Sequence, residues 1–394
     1  MKRKTKFGSL FILSVALLAS CSPSTSSSES GDPASSGSSE QSSEAIVAKN
    51  NDYSNPTYPL VDGQKTPTYM ADPYVIRDDD GTFYLYCTQT DVRTPSLEFV
   101  RGPIFSSPDL VNWTYKGNVF SNYNPNWGTS GAGVWAPTVI KVGEKWNYYY
   151  SLSTGGDANP GIGVATSDTP YGPWDHKGKL FNSEEIDVVN SIDPHVFYDG
   201  GKLYMAFGSF GGYITLIELT EDGLGLQGGI EGQKESKVSL AGYGINDLNN
   251  YEATFILKKD GWYYMFLSTG SCCSGAMSTY KVVVGKSQSL QGPYLDSQGR
   301  DMFGPNRGDP VVVPSLSGAM GVGHCSVIQD DIGDYWMVYH GYDTTADTSS
   351  YRVAYLDKLL WDEETGMPYV DSTHASNHET LPGPYINALE GEKA

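Results

Sequence analysis

Five segments of the sequence repeat one pattern, and this repeat restricts the possible folds more than any other feature. Each segment contains a short apolar strand, a polar turn with a glycine, and a second strand rich in aromatic residues. A strand, a glycine turn and another strand are typical of a β-hairpin. The hairpins begin 57 to 72 residues apart, at Asp72, Ala136, Asp193, Glu252 and His324.

Hairpins that recur at a nearly regular interval predict an all-β, five-bladed β-propeller with one hairpin in each blade. Three stretches support this fold, because they follow the first, second and fourth hairpins and resemble one another as outer strands. They are SSPDLVNWTYKG, ATSDTPYGPWDHKG and GKSQSLQGPYLDSQG. A β-sandwich also has many short strands and is the alternative fold, but the two-part repeat favours the propeller.

The first residues of the repeats predict where a functional site lies. Equivalent positions in a propeller face the same end of the central axis. Asp72, Asp193 and Glu252 should therefore converge there, together with His324. A single carboxylate at the start of a strand is more often an acceptor for loop amides, but three at matched positions predict a reactive site.

Carboxylates that lie close together cannot all stay ionised at neutral pH, because repulsion and burial raise the pKa of at least one. The result is a proton donor beside a proton acceptor, and hydrolysis of a glycosidic bond requires such a pair. A third carboxylate can orient the donor and keep its pKa high. The 8 Trp and 28 Tyr residues suit a sugar-binding cleft, although aromatic residues at these positions more often pack between blades.

The first 48 residues are expected to lie outside the folded domain. Residues 1–21 have a basic head, an apolar run and small residues before Cys21, which is typical of a secretory signal peptide. The final Leu-Ala-Ser-Cys resembles a lipobox, whose cysteine is lipidated after cleavage, and a plain signal peptide is the alternative. Residues 22–48 are predicted to be a Ser-rich disordered tether, and residues 49–394 to be the propeller. We therefore expect an exported lipoprotein, anchored at the cell surface or envelope through Cys21.

The net charge of −20 argues against nucleic acid and anionic membrane surfaces as partners, since both require clustered Lys and Arg. The lipid on Cys21 is then the only membrane contact that we expect. Cys87, Cys272, Cys273 and Cys325 lack the spacing of a zinc site. Cys272 and Cys273 are adjacent, which is a poor geometry for pairing, so we expect buried free thiols at all four positions.

The motifs at the five blade starts resemble those of glycoside hydrolase family 43, a family of five-bladed propellers. In chain order they are Asp-Pro, Trp-Ala-Pro, Ser-Ile-Asp-Pro, Tyr-Glu-Ala and Gly-His. The resemblance extends from about Tyr69 to about Val370. Within the family the sequence is most similar to the endo-arabinanases, mainly through the stretch STGSCCSGAMSTYKVVVGKS.

This resemblance implies a role for each axial residue. Asp72 would be the general base that activates water, Glu252 the general acid, and Asp193 the residue that orients Glu252 and raises its pKa. Enzymes of the family invert the configuration at the anomeric carbon, so the acid and base carboxyls should lie roughly 6.5–9.5 Å apart. The resemblance also implies that His324 binds a metal, usually calcium, with water as most of the other ligands. Calcium prefers oxygen ligands, and a histidine hydrogen-bonded in the channel wall is the alternative.

Further residues are candidate substrate contacts. Trp135 precedes the second axial position, Phe210 follows the third hairpin, and Arg352 can donate to sugar hydroxyls, while packing roles for Phe210 and Arg352 are equally compatible with the sequence. Cys325 stands where the endo-arabinanases usually have Asn, and Tyr-Glu-Ala replaces the commoner Glu-Gly-Pro. These departures bear on the substrate more than on the reaction.

Three functions are compatible with the sequence. The leading hypothesis is an inverting endo-α-1,5-L-arabinanase. An exo-acting α-L-arabinofuranosidase or β-xylosidase of the same fold is the second, and a non-catalytic, glycan-binding surface lipoprotein is the third. In each case the expected partner is a polysaccharide, either arabinan or arabinoxylan, and the expected state is a monomer.

Overall fold

The structure is a computed structural model that describes residues 49–90, 99–242, 251–346 and 349–387. The predicted signal peptide, Cys21 and the whole of the predicted tether lie outside these residues. Strands predominate in the described part, and its helices are short. No helix in these ranges is long and apolar enough to cross a membrane.

Five sheets form five blades, and a separate pair of strands joins the two ends of the described chain. After β1 (Lys49–Asn50), the first blade contains β2 (Leu60–Val61), β3 (Gln64–Lys65), β4 (Tyr74–Arg77), β5 (Phe83–Tyr86), β6 (Pro103–Ser107) and β7 (Thr114–Asn118). The second contains β8 (Gly133–Val142), β9 (Lys145–Ser153), β10 (Gly161–Ser167) and β11 (Asp175–Asn182), followed by helix α1 (Ser183–Ile186). The third contains β12 (His195–Asp199), β13 (Lys202–Phe207), β14 (Ile214–Glu218), helix α2 (Gly229–Ser236) and β15 (Val238–Ala241).

The last two blades follow the same order. The fourth contains β16 (Tyr251–Lys259), β17 (Trp262–Thr269), a 3-10 helix (Gly275–Met277), β18 (Lys281–Ser287) and β19 (Asp309–Val312). The fifth contains β20 (Ala319–Gln329), β21 (Tyr335–Asp343), β22 (Val353–Trp361) and β23 (Pro368–Val370), followed by a 3-10 helix (Asp371–Thr373) and β24 (Tyr385–Ile386).

The predicted five-bladed propeller is confirmed. Each predicted hairpin supplies the two inner strands of one blade, and the innermost strands β4, β8, β12, β16 and β20 contact one another in a closed ring. The predicted outer strands are also present in the first two blades. In the fourth blade the outermost strand is β19, which comes later than predicted, because Leu295 makes only isolated bridges before the chain returns to the sheet.

Five hydrophobic clusters hold the blades together, one at each boundary between neighbours. Between the fifth and first blades, for example, buried Trp336 and Leu356 belong to the same cluster as Phe83 and Trp113. Large apolar side chains that leave water in this way are the main favourable contribution to folding. Most aromatic residues of the repeat are therefore core residues, and few remain available for a ligand.

The two ends of the described chain meet on the fifth blade. β1 pairs with β24, and the buried carboxylate of Asp357 on β22 accepts hydrogen bonds from the N-terminal segment. Its donors include Tyr53 Oη (3.0 Å), Ser376 Oγ (2.6 Å), Asn55 Nδ2 (3.5 Å) and the hydroxyl of Tyr339. This network links side chains that lie about 300 positions apart in the sequence. Each blade nevertheless contains only strands that are consecutive in the chain.

The Asp357 network predicts a large effect on stability. Replacing Asp357 by alanine should lower the free energy of unfolding by about 3 kcal/mol, since several buried donors would lose their acceptor at once. Urea unfolding followed by tryptophan fluorescence measures the change. Asp357→Asn is the matched control: it keeps one acceptor oxygen and should cost less. Equal stability of the alanine variant and the wild type would show that the network contributes nothing.

Candidate active site

Each innermost strand is associated with one non-glycine residue in the left-handed region, which lies just before the strand in the first and third blades and inside it in the other three. The φ angles of these residues lie between 42° and 57°, which is uncommon for residues other than glycine. They are Asp72, Ala136, Asp193, Ala253 and His324. The sequence aligned Glu252 with this set, and the structure corrects the alignment by one residue, because Ala253 has the left-handed backbone.

The backbone N–H of each left-handed residue is satisfied by a side chain from the preceding blade. The acceptors are Thr88 Oγ1 for Ala136 (2.8 Å), Ser151 Oγ for Asp193 (2.9 Å), Asp193 Oδ2 for Ala253 (3.1 Å), Ser268 Oγ for His324 (2.9 Å) and His340 Nδ1 for Asp72 (3.1 Å). Buried N–H groups need such partners. The sequence did not predict these acceptors, although four of them are polar residues in the second half of the second strand of a hairpin or, for Thr88, two residues after it.

The one-residue shift explains how Glu252 reaches the axis. Glu252 precedes the left-handed Ala253 just as Trp135 precedes Ala136, and the strand register is interrupted at both places. Two residues that share this position therefore lie at the same end of the propeller. In the fourth repeat the carboxylate comes from this position, whereas Asp72 and Asp193 are themselves left-handed residues.

A cavity of about 470 Å³ lies where the blade starts meet. Its lining comprises Tyr69, Asp72, Thr88, Trp135, Gly155, Ile192, Asp193, Glu252, Cys272, Cys273, His324, Tyr342, Ser350, Tyr351 and Arg352. The structure thus brings together every predicted site residue except Phe210. Phe210 is half-buried, its carbonyl accepts a hydrogen bond from Asn190, and it does not line the cavity.

Asp72 lies close to Arg352, His324, His340 and Thr88, and the Nδ1 of His340 accepts from its backbone N–H. Its Oδ1 is 2.8 Å from Nη1 of Arg352 and 3.2 Å from Nδ1 of His324 and of His340, and Thr88 donates to Oδ2 at 2.5 Å. Burial by itself raises the pKa of Asp72, but the charges of Arg352 and His324 outweigh burial and hold it well below its usual range. Asp72 is therefore an ionised carboxylate at neutral pH, which is the state that a general base requires.

Asp193 and Glu252 form an acidic pair on the other side of the cavity. Glu252 accepts from Ser209 Oγ (2.6 Å) and Tyr280 Oη (2.7 Å), and Asp193 accepts from the N–H of Ala253. Burial raises the pKa of Asp193 to about 7, and repulsion from Glu252 adds to this rise. Burial also raises the pKa of Glu252, although its two hydroxyl donors oppose the shift. Because repulsion acts on both carboxyls, the pair retains a proton at higher pH than an isolated acid does.

Arg352 is placed mainly by its partners in the cavity wall. It is buried, and its Nη2 donates to Tyr69 Oη (2.6 Å) while Nη1 donates to Asp72. The sequence predicted a substrate contact at Arg352, and the residue does line the cavity. The geometry adds a role that the sequence did not predict, namely to fix the position and charge of Asp72.

His324 does not form a metal cage with its neighbours. Its Nδ1 faces Asp72, and the described residues contain no group of three or more His, Cys, Asp or Glu side chains that could hold a metal ion. Burial lowers the pKa of His324, but the neighbouring carboxylates outweigh burial and raise it. A calcium ion bound at His324 would therefore need water for most of its other ligands.

The structure corrects one prediction about the cysteines. Cys272 and Cys273 form a disulfide with each other, whereas the sequence predicted free thiols. The expectation failed because it assumed an ordinary backbone, but Cys273 has a left-handed conformation with a φ of 66° in a tight turn. Cys87 and Cys325 are buried and free, as predicted.

The ion pair between Arg352 and Asp72 predicts a shift in the pH dependence of hydrolysis. Replacing Arg352 by methionine removes a cation that lowers the pKa of Asp72, so this pKa should rise. A general base must be ionised, and the acidic limb of the pH profile should therefore move to higher pH. The check is kcat/KM measured from pH 3 to 9. An unchanged acidic limb would mean that Asp72 does not control it.

Comparisons with known proteins identify the family. Residues 66–368 match the model of the family described as Glycosyl hydrolases family 43. The chain is 33% identical to an extracellular exo-α-(1→5)-L-arabinofuranosidase of Cellvibrio japonicus, over 78% of this chain and 88% of that protein. It is 31% identical to an extracellular endo-α-(1→5)-L-arabinanase of Bacillus subtilis, over 70% of this chain and 80% of that protein.

Solved structures agree with this assignment. The structure of a Cellvibrio cellulosa α-L-arabinanase complexed with arabinohexaose matches with a TM-score of 0.66 and 32% identity, over 77% of this chain and 96% of that one. A family 43 endo-arabinanase from Bacillus licheniformis matches with a TM-score of 0.65 and 28% identity, over 78% and 99%. The chain therefore belongs to glycosyl hydrolases family 43, as the motifs at its five blade starts predicted.

Proposed function

We propose that this protein hydrolyses α-1,5-linked L-arabinan within the polymer chain and inverts the configuration at the anomeric carbon. One observation carries the proposal: the axial cavity has an ionised carboxylate, Asp72, on the first blade and a proton-retaining pair, Asp193 and Glu252, on the third and fourth blades. Asp72 and Glu252 line the same cavity, so a sugar bound in it can contact both.

The residues of the cavity have distinct roles in this reaction. Asp72 accepts a proton from a water molecule as the water oxygen attacks the anomeric carbon. Glu252 donates its proton to the departing O5 of the next arabinose, so the glycosidic bond breaks without a free alkoxide. Asp193 accepts a hydrogen bond from the backbone N–H of Ala253, the residue after Glu252. The negative charge of ionised Asp193 favours the protonated form of Glu252. Proton transfer at both positions and a preformed charge at Asp72 account for the acceleration.

Internal cleavage is the preferred mode, and exo action is the second candidate. The endo-arabinanases of Bacillus subtilis and Bacillus licheniformis are among the similar proteins, and the Cys-Cys stretch also favours this group. The Cellvibrio japonicus relative is an exo-enzyme, which favours the alternative. Only the length of the first products separates the two modes.

Product analysis of debranched, linear arabinan tests the function. Early in the reaction we expect a ladder of arabino-oligosaccharides on anion-exchange chromatography. A single short product from the first minutes onward would establish exo action instead. If the folded protein binds arabinan but releases no sugar, the non-catalytic binding function replaces the proposed one.

The cellular location is part of the proposal. The similar enzymes of Cellvibrio japonicus and Bacillus subtilis are extracellular, which supports export of this chain. We further propose a lipid anchor on Cys21 and a monomeric enzyme. Cys21→Ser should release the protein from the membrane fraction without a change in activity, and light scattering on the purified protein should give the mass of one chain.

Calcium at His324 is a separate proposal, supported by the family resemblance. Metal analysis of the purified protein should detect about one equivalent of calcium, which His324→Ala should lose. Activity measured before and after treatment with a chelator shows whether hydrolysis needs the ion. A wild-type protein without bound metal would contradict the proposal and leave the hydrogen bond to Asp72 as the role of His324.

A further inference from the structure

The disulfide between adjacent Cys272 and Cys273 lies in an unusual place for a stabilising crosslink. Both cysteines line the axial cavity together with the three carboxylates, and Cys273 is exposed. A crosslink stabilises a fold mainly when it closes a long loop in the unfolded chain. The two cysteines are adjacent in the sequence. This disulfide therefore closes almost no loop and contributes little stability through the entropy of the unfolded chain.

The disulfide lies on the acid side of the cavity. Glu252 on β16 pairs with Ser268 on β17, and two residues separate the end of β17 from Cys272. The general acid protonates the leaving oxygen, so the sugar that departs must lie beside Glu252. The loop that holds the disulfide follows the strand next to this acid.

Hydrogen bonds fix the loop that holds the disulfide. Ser271 N–H donates to Thr279 Oγ1 (3.0 Å), Thr279 N–H donates to the carbonyl of Ser271 (3.1 Å), and Ser274 N–H donates to Ser278 Oγ (2.9 Å). These bonds close the loop at its base and across its tip. The two sulfurs are thus held in place before a ligand arrives, which lowers the entropy cost of binding.

The chemistry of the disulfide suits the face of a sugar ring. Sulfur is soft and polarisable, and two bonded sulfurs have no hydrogen-bond donor. The base side of the cavity is polar by comparison, since Asp72 and Arg352 form an ion pair there. An arabinofuranose has C–H groups on its ring faces that require an apolar contact.

We propose that the Cys272–Cys273 disulfide is the platform on which the leaving arabinofuranose packs, and that it determines binding on the acid side of the scissile bond. This inference rests on the proposed arabinan hydrolysis. It assigns the disulfide a role in substrate positioning and none in proton transfer. The effect should appear in KM for substrates that have a sugar as the leaving group.

Two substrates separate this role from a structural one. Arabinohexaose has a sugar on the acid side of each bond, whereas the single glycosidic bond of an aryl α-L-arabinofuranoside has an aryl leaving group. In the double variant Cys272→Ser, Cys273→Ser we expect KM for arabinohexaose to rise about tenfold, which corresponds to ~1.4 kcal/mol. Both kcat for arabinohexaose and kcat/KM for the aryl substrate should stay within about twofold of wild type. Met277→Ala is the matched control, because Met277 is exposed on the same loop outside the cavity lining, and it should change neither substrate.

Other outcomes overturn the inference in distinguishable ways. An equal loss on both substrates would assign the disulfide a structural role, and wild-type kinetics on both would assign it none. If the wild type itself fails to cleave arabinohexaose, the proposed function fails first and the inference falls with it. If the serine variant does not fold, wild-type protein reduced with a phosphine and alkylated at both thiols provides the same comparison, with mass spectrometry to count the labels.

Discussion

Replacing Glu252 by glutamine should lower kcat on linear arabinan by roughly 10³-fold. Glutamine keeps the shape of the side chain, and its amide can still contact Ser209 and Tyr280, but it has no acidic proton for the leaving oxygen. An aryl arabinoside with an acidic phenol needs little protonation as it departs. On that substrate the loss should be less than about tenfold, so the deficit should depend on the leaving group.

The leaving-group dependence is the diagnostic part of this result. Initial rates on arabinan and on a series of aryl arabinosides with different phenol pKa values measure it. Ser209→Ala is the matched control, since it removes one hydrogen bond to Glu252 and leaves the proton donor in place. If Glu252→Gln lost the same factor on every substrate, or retained activity on arabinan, Glu252 would not be the general acid.

Replacing Asp72 by asparagine should lower kcat by about 10³-fold on every substrate, whatever the leaving group. Water must lose a proton in each reaction, so a better leaving group cannot compensate for a missing base. The contrast with Glu252→Gln therefore assigns the two roles independently. Initial rates on arabinan and on the same aryl arabinosides provide this contrast.

A change in stability could imitate a loss of the base, because Arg352 is buried and would lose its ionised partner in Asp72→Asn. Breaking such a pair costs about 3–5 kcal/mol. The free energy of unfolding must therefore be measured for the same preparation. Asp331→Asn is a matched control, since Asp331 forms an ion pair with Arg77 away from the cavity and should leave kcat unchanged. A strong dependence of the Asp72→Asn deficit on the leaving group would contradict the role of Asp72 as base.

The repeat made the fold predictable. In a propeller every blade must offer the same apolar faces to its two neighbours, so the hairpin pattern recurs and can be recognised without any structure. The convergence of Asp72, Asp193 and Glu252 followed from this symmetry. The roles of the three carboxylates came from the family resemblance, because symmetry alone does not distinguish an acid from a base.

Features that depend on local backbone or on distant contacts were not predictable. Glu252 was misplaced by one residue, because the left-handed Ala253 interrupts the strand register. The disulfide at Cys272 required a backbone conformation that spacing does not reveal. The pairing of Arg352 with Asp72 joins residues 280 positions apart, and nothing local to either residue indicates it. Tyr280, which donates to Glu252, lies in the stretch that resembles the endo-arabinanases, but nothing in the sequence indicates its partner.

The anomeric configuration of the first product tests the central claim most directly. The claim is that Asp72 activates water on one side of the sugar while Glu252 protonates the leaving oxygen on the other. Time-resolved ¹H NMR of linear arabinan with wild-type enzyme should therefore detect the β-anomer of the new reducing end first, with the α-anomer appearing only through mutarotation. If the α-anomer forms first, a carboxylate attacks the sugar directly, and the assignment of Asp72 as a base for water is wrong.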